Sequence, residues 1–376
     1  MRRMARSLAL VAAATLVVAG CGRGEDSSND GPKTAKAVKV DFPKLDASDY
    51  KACMVSDSGG FDDKSFNQTA KDGLDNAVKD FKVQSAAVQS KADSDYVPNI
   101  AALVNQNCKQ ITTVGFLLGD ATLASAKKNP NIDYSIVDFS YSDPKTGANT
   151  APKNLQGLIF DTASPSFMAG YLAASQTKSG FVGTFGGAPI PTVTIYMDGF
   201  WEGVQYYNQQ KKKDVKVVGW DVDSQTGVFT GGFAAGVEAK TAAQGLLDQN
   251  ADVLMPVGGP IYQSAAEAIK DQNKGSVLIG VDADVYVTDP SVDDIILTSV
   301  QKGVDAGVEA VVKDTKNGKF NNTPYVGTLK NGGVKLAPFH NFESKVDPAL
   351  AGEIKDIQSK IESGDIKVTS KASPQQ

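Results

Sequence analysis

From residue 50 onward, short apolar runs rich in β-branched residues alternate with stretches of helical period. The runs at 52–56, 111–116, 134–139, 155–160, 180–185, 215–220, 252–257, 276–281 and 294–300 predict strands. Segments such as 66–80, 97–107, 166–177 and 239–249 predict the helices between them. Strands that are apolar throughout are buried on both faces, which indicates an α/β chain with parallel sheet covered by helices. Nine runs are too many for one comfortable doubly wound sheet, and the pattern divides near residues 160–164. Two doubly wound lobes facing each other would gather many strand C-termini around one cleft, where such sheets bind ligands. A closed eight-stranded α/β barrel is the competing architecture. Against it, the strand ends carry Gly-Gly or polar turns in place of a catalytic constellation. Residues 211–214 (KKKD) read as a solvated loop, and 348–363 as an amphipathic helix. A Lys/Ser/Pro/Gln tail at 367–376 reads as disordered.

The first 20 residues set the compartment. A basic start with Arg2, Arg3 and Arg6 precedes an apolar run at 7–20, too short for a bilayer span and suited to a secretory signal. It ends in Val18-Ala19-Gly20-Cys21, which resembles a bacterial lipobox in which Cys21 is lipidated. The other reading is an ordinary signal with an incidental cysteine. The expectation is a signal peptide at 1–20 and a flexible polar tether at 21–47. That would hang the body by a lipid from the extracytoplasmic face of a bacterial cell membrane. Cys53 and Cys108 then lie in an oxidising compartment, where an even pair suggests a disulfide; two separate buried thiols are the alternative.

Charge narrows the chemistry. The 376 residues carry 38 Lys+Arg, 43 Asp+Glu and a net −5. Three of the four arginines and no acid precede Cys21, so the remaining chain carries −8, and no arginine follows Arg23. An acidic body without arginine is a poor nucleic-acid binder and a poor bidentate clamp for phosphate or carboxylate. The single histidine, His340, reads as structural, and with no second His or Cys cluster no metal site is expected. No Gly-x-Ser-x-Gly elbow, phosphate loop or dinucleotide fingerprint is present. No enzyme and no cofactor are expected.

The strand ends do offer recognition chemistry. The first strand runs into S-D-S-G-G-F-D-D-K-S-F-N-Q at 56–68, where Asp57 and Asn67 can exchange hydrogen bonds and Phe66 offers an apolar face. Comparable ends follow at Asp138, Gly186-Gly187, 229–233, Gly258-Gly259 and Asp282-Ala283-Asp284. Taken singly these are turns, core aromatics and helix caps. Their shared place at strand ends in both halves points to one ligand.

The opening motif resembles that of the basic membrane protein family, the purine nucleoside receptor type of ABC-transporter lipoprotein. The likeness continues through T-V-G-F-L-L (113–118), Y-S-I-V-D-F (134–139), F-M-A-G-Y-L-A-A (167–174), G-F-V-G-T-F-G-G (180–187) and M-D-G-F-W-E-G-V (197–204). It ends with A-D-V-L-M-P-V-G-G (251–259), I-G-V-D-A-D (279–284) and T-S-V-Q-K-G-V-D (298–305), covering about residues 50–345. The resemblance implies a type I periplasmic-binding fold, two doubly wound parallel-sheet lobes joined by a three-strand hinge. Lobe 1 would hold 48–161 and 288–322, and lobe 2 would hold 162–287 and 323–366. It implies a monomer that delivers a nucleoside to an ABC permease. Phe66 would stack on the base, with Asp57 and Asn67 nearby and Asp138 on the base edge. Phe233 would complete the sandwich, Gly258 would offer backbone contacts, and Asp282 and Lys302 would meet the ribose. The chain departs from the family at Ala235, at Asp284-Val285 and after Gly259, and Phe229 competes with Phe233 for the stacking role. Alternatives are a sugar-binding lipoprotein of the same fold, a surface adhesin or signalling receptor, and, least favoured, a nucleoside hydrolase.

Overall fold

The computed structural model describes residues 50–143 and 145–374. The expected signal peptide, Cys21 and the tether lie outside the described residues. The first lobe opens with β1 (Lys51–Ser56), α1 (Phe66–Phe81), β2 (Gln84–Gln89) and α2 (Tyr96–Asn105). It continues with β3 (Gln110–Val114), α3 (Gly119–Lys128), β4 (Asp133–Val137) and β5 (Leu155–Phe160). The chain then crosses into α4 (Ala163–Gln176), β6 (Phe181–Gly186), α5 (Pro191–Lys211), β7 (Lys216–Val218) and a small hairpin, β8 (Trp220–Asp221) with β9 (Thr226–Gly227). The second lobe goes on through α6 (Val237–Asp248), β10 (Val253–Val257), α7 (Ile261–Gln272), β11 (Val277–Asp282), α8 (Val285–Thr288) and β12 (Ile296–Lys302). Last come α9 (Val304–Lys316), β13 (Tyr325–Gly327), β14 (Val334–Leu336) and α10 (Pro348–Ser363), the helix expected at those residues.

Among the described residues the strands form two six-stranded sheets, ordered β2-β1-β3-β4-β5-β13 and β7-β6-β10-β11-β12-β14. Within these two sheets all strand pairings are parallel except β12 with β14. In both sheets the first strand of the lobe lies between the second and third, the doubly wound order with one switch point. β10 is an unbroken apolar run buried along its whole length, and β3 is buried just as fully, with Gln110, Thr112 and Thr113 hydrogen-bonded to other side chains. A disulfide joins Cys53 in β1 to Cys108 just before β3, with Cα atoms 6.0 Å apart. One apolar core runs from beneath α1 in the first lobe to α4, α5 and α10 in the second.

Two expectations need correction. The expected division puts 288–322 in the first lobe and 323–366 in the second, but β12 pairs with β11 in the second sheet and β13 pairs with β5 in the first. The chain re-enters the first lobe only at α9, and β13 then pairs with β5 before β14 returns. The crossings at Asp161, Gly303 and 327–333 lie side by side, tied by Asp161 N–H to the Gly327 carbonyl at 2.8 Å and Gly303 N–H to the Gly333 carbonyl at 2.9 Å. The tail at 367–376, expected to be disordered, lies against α5 as far as residue 374: Ile366, Val368 and Ala372 pack on the core.

Candidate ligand-binding site

The two switch points face each other across the hinge and line a shared cavity, the place where doubly wound sheets take ligands. The eight residues to which the resemblance assigns ligand contacts all line it: Asp57, Phe66, Asn67, Asp138, Phe233, Gly258, Asp282 and Lys302. Asp63, Phe116 and Tyr196 join them.

The first-lobe wall is organised by α1. The Asp63 carboxylate accepts N–H bonds from Ser65, Asn67 and Gln68 at 2.9–3.0 Å, satisfying donors that the start of a helix leaves free. That places Phe66 and Asn67 in the first turn, facing the cleft. Asn67 Nδ2 donates to Asp57 Oδ1 at 3.0 Å, while Asn67 Oδ1 is buried with no partner. A buried amide oxygen without a donor is costly. Gly115 closes the wall: its φ is +118°, and a Cβ there would lie 2.1 Å from Asp57 Oδ2.

The opposite wall comes from the second sheet. Phe233 lies on the backbone at the ends of β6 and β10, where a Cβ on Gly258 would lie 2.8 Å from its ring. Phe229 instead packs edge-on against Trp220 and bridges to Gly186, and it does not line the cavity. Of the two aromatics, Phe233 therefore faces the ligand space. Phe66 and Phe116 line the cavity from the first lobe, and Phe233 and Tyr196 from the second.

Between the walls lies a charge cluster. Lys302, the last residue of β12, is 3% exposed and has its Nζ 2.8 Å from Asp138 of the first lobe and 3.2 Å from Asp282. Its ammonium also stands 4.6 Å from the centre of the Phe66 ring. Tyr196, in α5, donates to Asp282 Oδ1 at 2.8 Å. Asp138 and Asp282 both adopt positive φ, 70° and 68°, a left-handed turn that aspartate tolerates and that aims the carboxylates inward. Burial works against the Lys302 charge, yet Asp138 and Asp282 hold the ammonium above its usual value. Burial pushes the Asp138 carboxyl up, and Lys302 opposes that rise. Burial likewise pushes Asp57 up to about 8, with Asn67 acting in the other direction. At neutral pH Asp57 is thus largely protonated and is a hydrogen-bond donor as well as an acceptor.

The lobes also touch through two neutral bonds: Ser65, fully buried next to Asp282, donates its Oγ to the Val281 carbonyl at 3.0 Å, and Thr288 Oγ1 donates to the Lys64 carbonyl at 2.6 Å. The departures from the family pattern fall outside the polar cluster. Asp284 bonds His340 Nε2 at 2.9 Å, and that ring stacks on Tyr286 at 3.9 Å; Val285 is buried in the core. Ala235 is exposed. Asp63 and Tyr196 were missed from sequence. Asp63 shared a motif already noted, whereas Tyr196 sits in a helix turn with no strand-end signal.

Two doubly wound lobes closing on a buried cavity define a two-lobed solute-binding protein. A family model described as ABC transporter substrate-binding protein PnrA-like matches residues 50–370, and the chain belongs to that family. It is 30% identical to the ABC transporter nucleoside-binding protein BmpA of Lactococcus lactis subsp. cremoris, over 95% of this chain and 97% of that one. It is 29% identical to basic membrane protein A of Borreliella burgdorferi, over 85% of this chain and 88% of that one. The fold is similar to an ABC transporter solute-binding protein from Aeropyrum pernix K1, with a TM-score of 0.74, 24% identity and coverage of 86% of this chain and 94% of that chain. The chain is thus an ABC transporter substrate-binding protein, of a class that works outside the cytoplasm with a ligand and a permease. Among the described residues no helix is long and apolar enough to cross a membrane.

Proposed function

We propose that the chain binds a neutral nucleoside, preferably a purine nucleoside, between Phe66 and Phe233 and hands it to an ABC permease. In this reading it acts as a monomer held to the membrane by a lipid on Cys21, and it catalyses no reaction on its ligand. The observation that carries the reading is the unpartnered Asn67 Oδ1, buried in the wall of a cavity that Asp57, Phe66 and Phe233 also line. A base presents donors and acceptors on one edge and a flat face to either ring. Asp57, Asn67 and Asp138 take the edge, and Asp282 with Lys302 take the ribose hydroxyls. The likeness to a relative named as nucleoside-binding supports the same assignment.

The magnitudes suffice. Each stack contributes about 1–3 kcal/mol, and each hydrogen bond to a charged group about 1.5–3 kcal/mol. Two stacks and several such bonds offset association costs and reach the roughly −8 kcal/mol of a micromolar complex. A phosphate would meet Asp63, Asp138 and Asp282 with one lysine in attendance, so nucleotides are rejected. Calorimetric titration of the protein, refolded to strip carried-over ligand, tests this with adenosine, guanosine, inosine, cytidine, uridine, ribose, glucose and adenosine monophosphate. Micromolar binding confined to nucleosides, strongest for purines, is expected. Binding of glucose or ribose alone would transfer the site to sugars, and silence across the panel would refute the reading.

A further inference from the structure

We infer that residues 366–373 form a strap that sets the second-lobe wall of the ligand cavity, acting through Asp198 and the β8–β9 hairpin on Phe233. The segment leaves α10 at Gly364, whose φ is +85°, runs extended to Ser370 with alternate residues turned inward, and then turns at 371–373. Ile366, Val368 and Ala372 pack on the core, and Ser370 points the same way. Glu202 of α5 accepts from the Thr369 N–H at 2.9 Å and from its hydroxyl.

Ser370 Oγ donates to Asp198 Oδ2 at 2.6 Å. Asp198 is 1% exposed, and its other oxygen accepts from Trp220 Nε1 at 3.0 Å and Gln225 Nε2 at 2.9 Å. One buried carboxylate therefore ties together the strap, α5, the first arm of the hairpin and its turn. A buried charge needs all its donors, so losing the strap's share leaves that junction under-satisfied.

The hairpin leads directly to the ligand. The Gly186 N–H donates to the Val228 carbonyl and the Thr230 N–H to the Gly186 carbonyl, both at 3.0 Å. Thr230 Oγ1 then bonds the Gly232 carbonyl at 2.6 Å, immediately before Phe233. Asp198 also stands two residues from Tyr196, which holds Asp282. Ser370 and Asp198 are thus positioning residues, remote from the ligand and in series with the ring that would cover it.

The affinity part of this inference rests on the nucleoside reading; the positional part does not. In the full chain, Ser370→Ala is expected to raise hydrogen exchange across 219–233 and, with Trp201→Phe as background, to shift Trp220 emission. Adenosine binding is expected to weaken about tenfold, equivalent to about 1.4 kcal/mol, and Ser370→Thr to restore it. Combined with Phe233→Ala, Ser370→Ala is expected to cost less than twofold, because the ring it positions is gone. Unchanged exchange at 219–233 would overturn the strap. So would an equal affinity loss with and without Phe233, which would mark a general loss of stability. If the unaltered protein binds no nucleoside, that reading fails, while exchange and Trp220 emission still decide the strap. A truncation after Lys367 should exceed the Ser370→Ala effect; if it does not fold, the point variants decide.

Discussion

Replacing Lys302 by methionine leaves Asp138 and Asp282 buried at the lobe interface without the ammonium that now lies 2.8 and 3.2 Å from them. Methionine keeps the side chain's length and its apolar contact with Phe66, so the loss is chiefly electrostatic. Removing one partner of a buried ion pair costs about 3–5 kcal/mol, and here two carboxylates depend on one cation. The deficit should depend on pH. Burial already raises the Asp138 carboxyl above its unfolded value of 3.8, and Lys302 is what opposes the rise. Without Lys302 the folded value climbs further. A carboxyl raised on folding contributes its stability below the unfolded value and loses it as pH rises through the folded one. The deficit relative to the unaltered protein should therefore be about 3–5 kcal/mol at pH 8 and about 1–2 kcal/mol at pH 5, where protonation relieves the repulsion. Guanidinium unfolding at the two pH values measures it, and Asp138→Asn added to Lys302→Met should recover at least half of the pH 8 loss. A deficit under about 1 kcal/mol at pH 8, or one that shrinks as pH rises, would refute the reasoning.

Asp57 makes a separate contribution of the same sign. Its folded value of about 8 implies stability lost between the usual carboxylate range and pH 8, at a slope approaching about 1.4 kcal/mol per pH unit, and Asp57→Asn should flatten the unfolding profile over that window. Gly115→Ala would put a methyl where Asp57 Oδ2 lies, at a backbone angle alanine disfavours, and should weaken nucleoside binding at least tenfold by calorimetry, about 1.4 kcal/mol. Replacing both Cys53 and Cys108 by serine opens a loop spanning 55 residues and should cost about 4 kcal/mol of stability in chemical unfolding. Because that link lies at the far side of the first sheet, ligand affinity should stay within about twofold, less than about 0.5 kcal/mol.

The central strands were legible because helices cover both faces of each sheet and force an unbroken apolar run. β2 was not: Gln84–Gln89 lies at a sheet edge with alternate residues exposed, and its Gln-Ser-Ala-Ala-Val-Gln holds no such run. The run at 215–220 breaks at Gly219, whose φ of +88° separates β7 from β8. Which lobe owned β12 could not be read from its own residues, since only pairing with β11 decides it. The tail misled by composition. Lys, Ser, Pro and Gln suggested disorder, although Ile366, Val368, Ser370 and Ala372 already carried the period-two pattern of an extended segment with one buried side. At the cavity, acids and aromatics at strand ends were visible because a doubly wound sheet gathers its strand C-termini there. The choice between Phe229 and Phe233 rested on which glycines each ring covers, a three-dimensional fact.

The place of Lys302 within the chain has a mechanical consequence. It directly precedes Gly303, one of the three side-by-side crossings, so its ion pair with Asp138 lies close to the axis about which the lobes turn. A contact near a pivot stretches little for a given rotation, so this pair resists separation of the two walls while letting them turn. Ser65 stands in the same centre, fully buried with its Oγ bonded to the Val281 carbonyl and 3.5 Å from Asp282. The two halves are thus joined by a charged spindle as well as by the crossing chain.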